Sequence, residues 1–173
     1  MRWTVRAGEW RDAPALVQMI NAFAQGHPAA GVERSPDQIA PYFFGDRRVG
    51  NMLVADLAGE LVGFTTWRKD FDPFWCKECG EITSVFVQPD HRGVGVAATL
   101  ITAAFADIRK AGGEYAYGYP SEQPGGFFQR VAISYPSQWC HVSDRAFHRL
   151  ADLAGADPRA LARQLPDPSW NKL

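Results

Sequence analysis

The sequence predicts an α+β (mixed α/β) fold, in which helices flank a central mixed, mostly antiparallel sheet of six to seven strands. Three observations carry this reading. Two-residue and 3.6-residue apolar periods follow one another in the order β-α-α-β-β-β-α-β-α-β, which is not a repeating βαβ array. An Ala58-Gly59-Glu60 turn joins two apolar runs into an antiparallel hairpin. One long helix lies between two later strands, and a helical crossover returns the chain parallel.

Each element has a local signature. Residues 3–6 alternate as a first strand. Asp12 is placed to cap a helix with Pro14 in its first turn, Leu16, Val17, Ile20, Phe23 and Ala24 share one face, and Gly26-His27-Pro28 ends it. Ser35-Pro36-Asp37 opens a second, short helix that stops before Gly45-Asp46. Residues 52–57 and 61–67 form the hairpin. Residues 69–80, rich in charge and rings, are predicted as a connection, and residues 81–87 as a fourth strand. A helix over 94–110 buries Leu100, Ile101, Ala104, Phe105 and Ile108, and Ala111-Gly112-Gly113 stops it. Residues 115–119 form a fifth strand. Pro124-Gly125-Gly126 precedes a short helix ending near Val131, residues 132–142 hold one or two short strands, and residues 144–153 and 158–165 are helical.

The totals bound the function. A chain of 173 residues predicts one domain over 1–173, with 144–173 as a helical C-terminal extension. A net charge of −1 gives no electrostatic reason to expect nucleic acid as partner. No apolar run reaches the roughly 18 residues of a membrane span. No apolar segment follows Met1-Arg2-Trp3-Thr4 as in a secretory signal, so the three cysteines are predicted to be reduced and the protein cytoplasmic. Cys76-Lys77-Glu78-Cys79 has metal-ligand spacing, and Cys140-His141 offers two further ligands. One CxxC without a second is weak evidence, and no metal is predicted.

Residues 85–101, Val-Phe-Val-Gln-Pro-Asp-His-Arg-Gly-Val-Gly-Val-Ala-Ala-Thr-Leu-Ile, are the most informative stretch. An apolar strand ends in a Pro-marked turn, and a glycine loop opens a helix. Glycines let the backbone approach a ligand, and the unbonded N–H groups of a first helical turn attract phosphate. Arg92 adds a fixed cation. A Walker loop needs Gly-Lys-Ser/Thr, which is absent. A dinucleotide fingerprint is met by Gly93, Gly95 and Ala98, but Glu114 falls at the start of the next strand rather than its end, and too little chain follows for a doubly wound fold.

The same segment resembles the GNAT family of N-acetyltransferases, whose hallmark is Arg/Gln-x-x-Gly-x-Gly/Ala between the fourth strand and the third helix. Arg92-Gly93-Val94-Gly95-Val96-Ala97 matches it, with similar flanks at 85–91 and 98–101, and the element order extends the resemblance over residues 3–135. The resemblance implies a GNAT-like sheet and an acetyl-CoA-dependent enzyme that acetylates a primary amine of a small molecule or peptide by direct attack in a ternary complex. It implies that Arg92 and the amides of Gly93, Val94, Gly95, Val96 and Ala97 hold the pyrophosphate of coenzyme A. It implies too that the edge at Val85, Phe86 and Val87 pairs with the pantetheine amides.

Acetyl transfer needs a base for the ammonium and an acid for the leaving thiolate. Glu81 lies eleven residues before Arg92, the spacing of the catalytic Glu in the histone acetyltransferase branch, and is the first choice of base. Asp70, Asp72, Glu78, Glu122, His141 and His27 are substitutes. The family's acidic Tyr falls on Phe128, which has no proton to give, so Phe128 and Phe127 are read as walls of the pantetheine channel. Tyr119 is named as the acid, with Tyr117, Tyr135, Ser121 and water as alternatives. The missing hydroxyl motivates a second reading, a non-catalytic acyl-CoA-binding module.

Residues 69–75, Lys-Asp-Phe-Asp-Pro-Phe-Trp, place acids beside rings, which suits a cationic amine. They resemble a stretch of polyamine acetyltransferases, but Thr83 and Ser84 stand where those carry acids. Aminoglycosides, amino acids, peptide amines and polyamines stay open as acceptors. Phe147, Leu150, Leu153 and Leu161 have helical spacing, and their helices either cover the sheet or meet a second copy in a homodimer.

Overall fold

The structure is a computed structural model that describes residues 3–25, 31–119, 133–134 and 140–157. The expected helices near 126–131 and 158–165, and the candidates His27, Ser121, Glu122, Phe127, Phe128 and Tyr135, lie outside the described residues.

Seven strands form one sheet in the order β1-β2-β3-β4-β5-β7-β6. They are β1 (Thr4–Ala7), β2 (Asn51–Leu57), β3 (Glu60–Asp72), β4 (Lys77–Val87), β5 (Tyr115–Gly118), β6 (Ile133–Ser134) and β7 (Cys140–Ser143). Neighbours run antiparallel except β4 and β5, which are parallel. The helices are α1 (Ala13–Phe23), α2 (Pro36–Phe44), α3 (Val96–Lys110) and α4 (Asp144–Asp152). Among the described residues, no helix is long and apolar enough to cross a membrane.

The core has a layer on each side of the sheet. On one side α3 sets Leu100, Ile101, Ala104, Phe105 and Ile108 against Val62, Trp67, Ile82 and Val87. On the other, α1 sets Leu16 and Met19 against Val54, Phe64 and Phe86. Helix α4 joins the first layer through buried Ala146, Phe147, Leu150 and Ala151, with the Phe147 ring 5.7 Å from that of Phe105.

Two boundaries differ from expectation. Residues 69–80 are mostly strand, because β3 runs to Asp72 and β4 starts at Lys77, leaving 73–76 as the turn. The Asp72 carboxylate accepts the N–H groups of Phe74 (2.8 Å) and Trp75 (3.2 Å), so the side chain closes the turn locally. Helix α3 begins at Val96, not 94, because Gly93 (φ 75°) and Gly95 (φ 101°) are left-handed and cannot belong to a right-handed helix.

Candidate active site

The pairing of β4 with β5 ends inside the sheet. Their parallel register runs from Cys79↔Tyr115 to Ile82↔Gly118 and stops. Among the described residues, strand β4 continues to Val87 paired with β3 alone. Where the β4–β5 pairing ends, the β3–β4 register shifts between Thr66 and Trp67, leaving Thr83 as an extra residue on β4. Such a bulge bends its strand. The Thr83 hydroxyl lies 2.6 Å from that of Thr66, on the α1 side of the sheet.

Beyond the bulge the backbone polarity can be assigned. The Gln88 N–H donates to Val62 on the β3 side. The Val87 carbonyl instead accepts the Nε–H of Arg92, at 2.9 Å. With a two-residue period, Val85 and Val87 turn their backbone groups toward the gap. The Phe86 side chain packs on Phe64 and Phe23, with centroids 6.0 and 6.1 Å away, so it anchors the strand and offers the gap no side chain.

The loop after β4 forms the other wall. A 3-10 turn at Pro89–His91 leads to Arg92, whose guanidinium lies 5.8 Å from the Phe86 ring centroid. A side chain on Gly93 would meet nothing within 4 Å, so this loop faces open space. Val94 is exposed, whereas Val96 is buried in the core and pins the start of α3. The N–H groups of Gly93, Val94 and Gly95 find no backbone acceptor among the described residues. The sequence-predicted residues Val85, Phe86, Val87, Arg92, Gly93, Val94, Gly95, Val96 and Ala97 thus converge on one end of the sheet. A strand edge with open amides beside a helix start fits a ligand with a pyrophosphate and an amide-bearing arm.

Below the gap, the sheet face on the α1 side is polar. The registers Arg68↔Glu81↔Tyr117 and Asp70↔Cys79↔Tyr115 lie in two rows across β3, β4 and β5. Glu81 is buried, and its Oε2 is ion-paired with Arg68 Nε. The Tyr117 hydroxyl donates to Asp70 and the Tyr115 hydroxyl to Asp72. Burial first, then these bonds, push both phenols well above their ordinary range. The Tyr115 bond holds the Asp72 carboxyl low, and burial pushes the Cys79 thiol up. The bond to Glu81 holds the Arg68 guanidinium above its usual value.

The structure separates the other candidates. Tyr119 follows β5 and is exposed, its ring 6.4 Å from that of Tyr117 and edge-on to it. The Tyr117 hydroxyl is already hydrogen-bonded to Asp70. Asp70 and Asp72 are engaged by tyrosines, while Glu78 pairs with Lys69 at 2.9 Å and lies one residue out of phase with the polar face. His141 is the register partner of Tyr117 on β7. Cys76 is exposed in the turn and Cys79 is buried on the sheet. Sequence reasoning missed Arg68 and Tyr115. The period-2 relation of Arg68 to Asp70 and Asp72 was the available signal, but only the hairpin register sets it opposite Glu81.

The acetyltransferase (GNAT) family profile matches residues 16–121, more than half of the chain. The chain belongs to that family, which uses acetyl-CoA. An uncharacterized N-acetyltransferase of Archaeoglobus fulgidus is 42% identical over 57 residues, covering 31% of this chain and 37% of that protein. The chain thus matches little more than a third of that relative's length. The solved ribosomal-protein-alanine N-acetyltransferase of Brucella melitensis biovar Abortus 2308 is 28% identical, with a TM-score of 0.52, over 65% of this chain and 75% of that one. The PaiA N-acetyltransferase of Thermoplasma acidophilum, solved with coenzyme A, is 14% identical with a TM-score of 0.59, over 83% of this chain and all of that one; it is alike in fold.

Proposed function

We propose that this protein is an acetyl-CoA-dependent N-acetyltransferase that acetylates a primary amine of a small molecule or peptide by direct attack in a ternary complex. The observation that carries the reading is the edge of β4 at Val85–Val87, unpaired on its β5 side among the described residues, beside the amide-rich start of α3. When bound, acetyl-CoA supplies the acetyl group as an activated thioester. The amides at 93–97 and Arg92 hold the pyrophosphate, and the Val85 and Val87 backbone aligns the pantetheine arm. A backbone N–H at this edge stabilises charge on the acyl oxygen. Glu81 takes the proton of the ammonium, directly or through water, and Tyr119 protonates the thiolate.

The same reading takes residues 1–173 as one acyltransferase domain with 144–173 as a helical extension, acting in the cytoplasm on amines rather than nucleic acid, with a homodimer as its assembly. Calorimetry with acetyl-CoA and a thiol-release screen of amine acceptors test it. Heat of binding, a raised melting temperature and thiol release with a primary amine are the expected results. Absence of heat and of thermal protection overturns the reading. Binding without turnover across a broad panel makes the protein an acyl-CoA-binding module instead.

A further inference from the structure

The Glu81 side chain is 10% exposed, while that of Arg68, its ion-pair partner, is 58% exposed. A buried carboxylate needs a partner to fix its place, and Arg68 supplies one from the neighbouring strand. It engages Oε2 only, and Oε1 makes no hydrogen bond among the described residues. We infer that Arg68 is a positioning residue, which clamps one carboxylate oxygen of Glu81 so that the other faces the acceptor amine. The inference rests on the reading of Glu81 as base.

The surroundings leave this task to Arg68. Strand β3 also brings Asp70 to this face, β4 brings the Cys79 thiol, and β5 brings the Tyr115 and Tyr117 phenols. None of these is a cation. Strand β7 places His141 in register with Tyr117, one strand further from Glu81. Helix α1, over the same side of the sheet, carries no ionisable side chain. Among the described residues, Arg68 is the cation that reaches Glu81. Because its head is solvent-exposed, replacing it leaves the core packing intact.

The test compares the native protein with Arg68→Met, Arg68→Lys, Glu81→Gln and the Arg68→Met/Glu81→Gln pair. With the acceptor from the thiol-release screen, Arg68→Met should lower kcat by about tenfold or more with little change in the acceptor KM, and Arg68→Lys should restore part of the loss. Acetyl-CoA affinity should not change, and Arg68→Met should add no loss to Glu81→Gln. An unchanged kcat in Arg68→Met overturns the inference alone. Full activity in Glu81→Gln overturns the base reading, and the inference with it.

Discussion

In the proposed reaction, Glu81 is the single residue that decides most of the chemistry. It stands where β4 and β5 still pair, one row below the gap, buried yet ionically held. Glu81→Gln keeps the volume and removes the proton acceptor. Activity should fall by roughly 10²- to 10⁴-fold with little change in acetyl-CoA affinity, as steady-state kinetics and calorimetry would show. A loss confined to binding would move Glu81 out of the base role. Gly80 shows how tightly the neighbouring residue is packed. A Cβ there would lie 2.5 Å from Ile108 Cδ1 and Cγ1. Gly80→Ala should destabilise the fold by about 1–3 kcal/mol, read as a lower denaturant midpoint. At this scale the sequence was readable where a residue acts through its own backbone. Gly93 and Gly95 announce a left-handed loop wherever they occur, whereas the importance of Arg68 depends on what lies opposite it.

At the scale of elements, the β3–β4 hairpin holds the polar face in place. Its turn is closed by Asp72, which also accepts the Tyr115 hydroxyl from β5 and so ties three strands. Asp72→Ala removes the turn bonds and the tie to the Tyr115 hydroxyl. A loss of about 1–3 kcal/mol is expected by denaturant unfolding, with faster amide exchange at the hairpin end. Tyr115→Phe should lose less, since Asp72 keeps its turn bonds. The predicted connection at 69–80 failed as a secondary-structure reading for a physical reason. Asp-Phe-Asp-Pro and Lys-Glu carry low strand propensity, and cross-strand pairing with register Lys69↔Gly80 to Asp72↔Lys77 overrides it.

At the scale of the whole molecule, two features outside the site support the sheet. Phe147 of α4 is fully buried against Phe105 of α3. Phe147→Ala should cost about 3–5 kcal/mol, a large share of a small domain's stability, and lower the melting temperature accordingly. At the other edge, Arg6 of β1 bridges Asp12, at the start of α1, and Asp56 of β2, at 2.7 and 3.0 Å. The Arg6 bond holds the Asp12 carboxyl below the usual carboxylate range. A depressed value in the folded state means that the stabilisation is present above the unfolded-state value near pH 4 and is lost as pH falls further. The melting temperature should therefore drop steeply on acidification below about pH 4, and Asp12→Asn should flatten that dependence. An equally steep drop in Asp12→Asn would assign the acid sensitivity elsewhere.

The sequence by itself determined the α+β class, the element order through β5 and the glycine loop at 92–97, because turn glycines, helix starts and apolar periods are local chemistry. Its resemblance to the histone acetyltransferase branch also marked Glu81. Only the tertiary structure decided that β4 stops pairing with β5 after Ile82, that Arg68 grips Glu81, and that Tyr117 and Tyr115 bond Asp70 and Asp72. Those contacts join residues 13 to 47 positions apart in the chain. A bulge of one residue at Thr83 sets which side chains share a face, and register of that kind is fixed by packing across the sheet rather than by any segment alone.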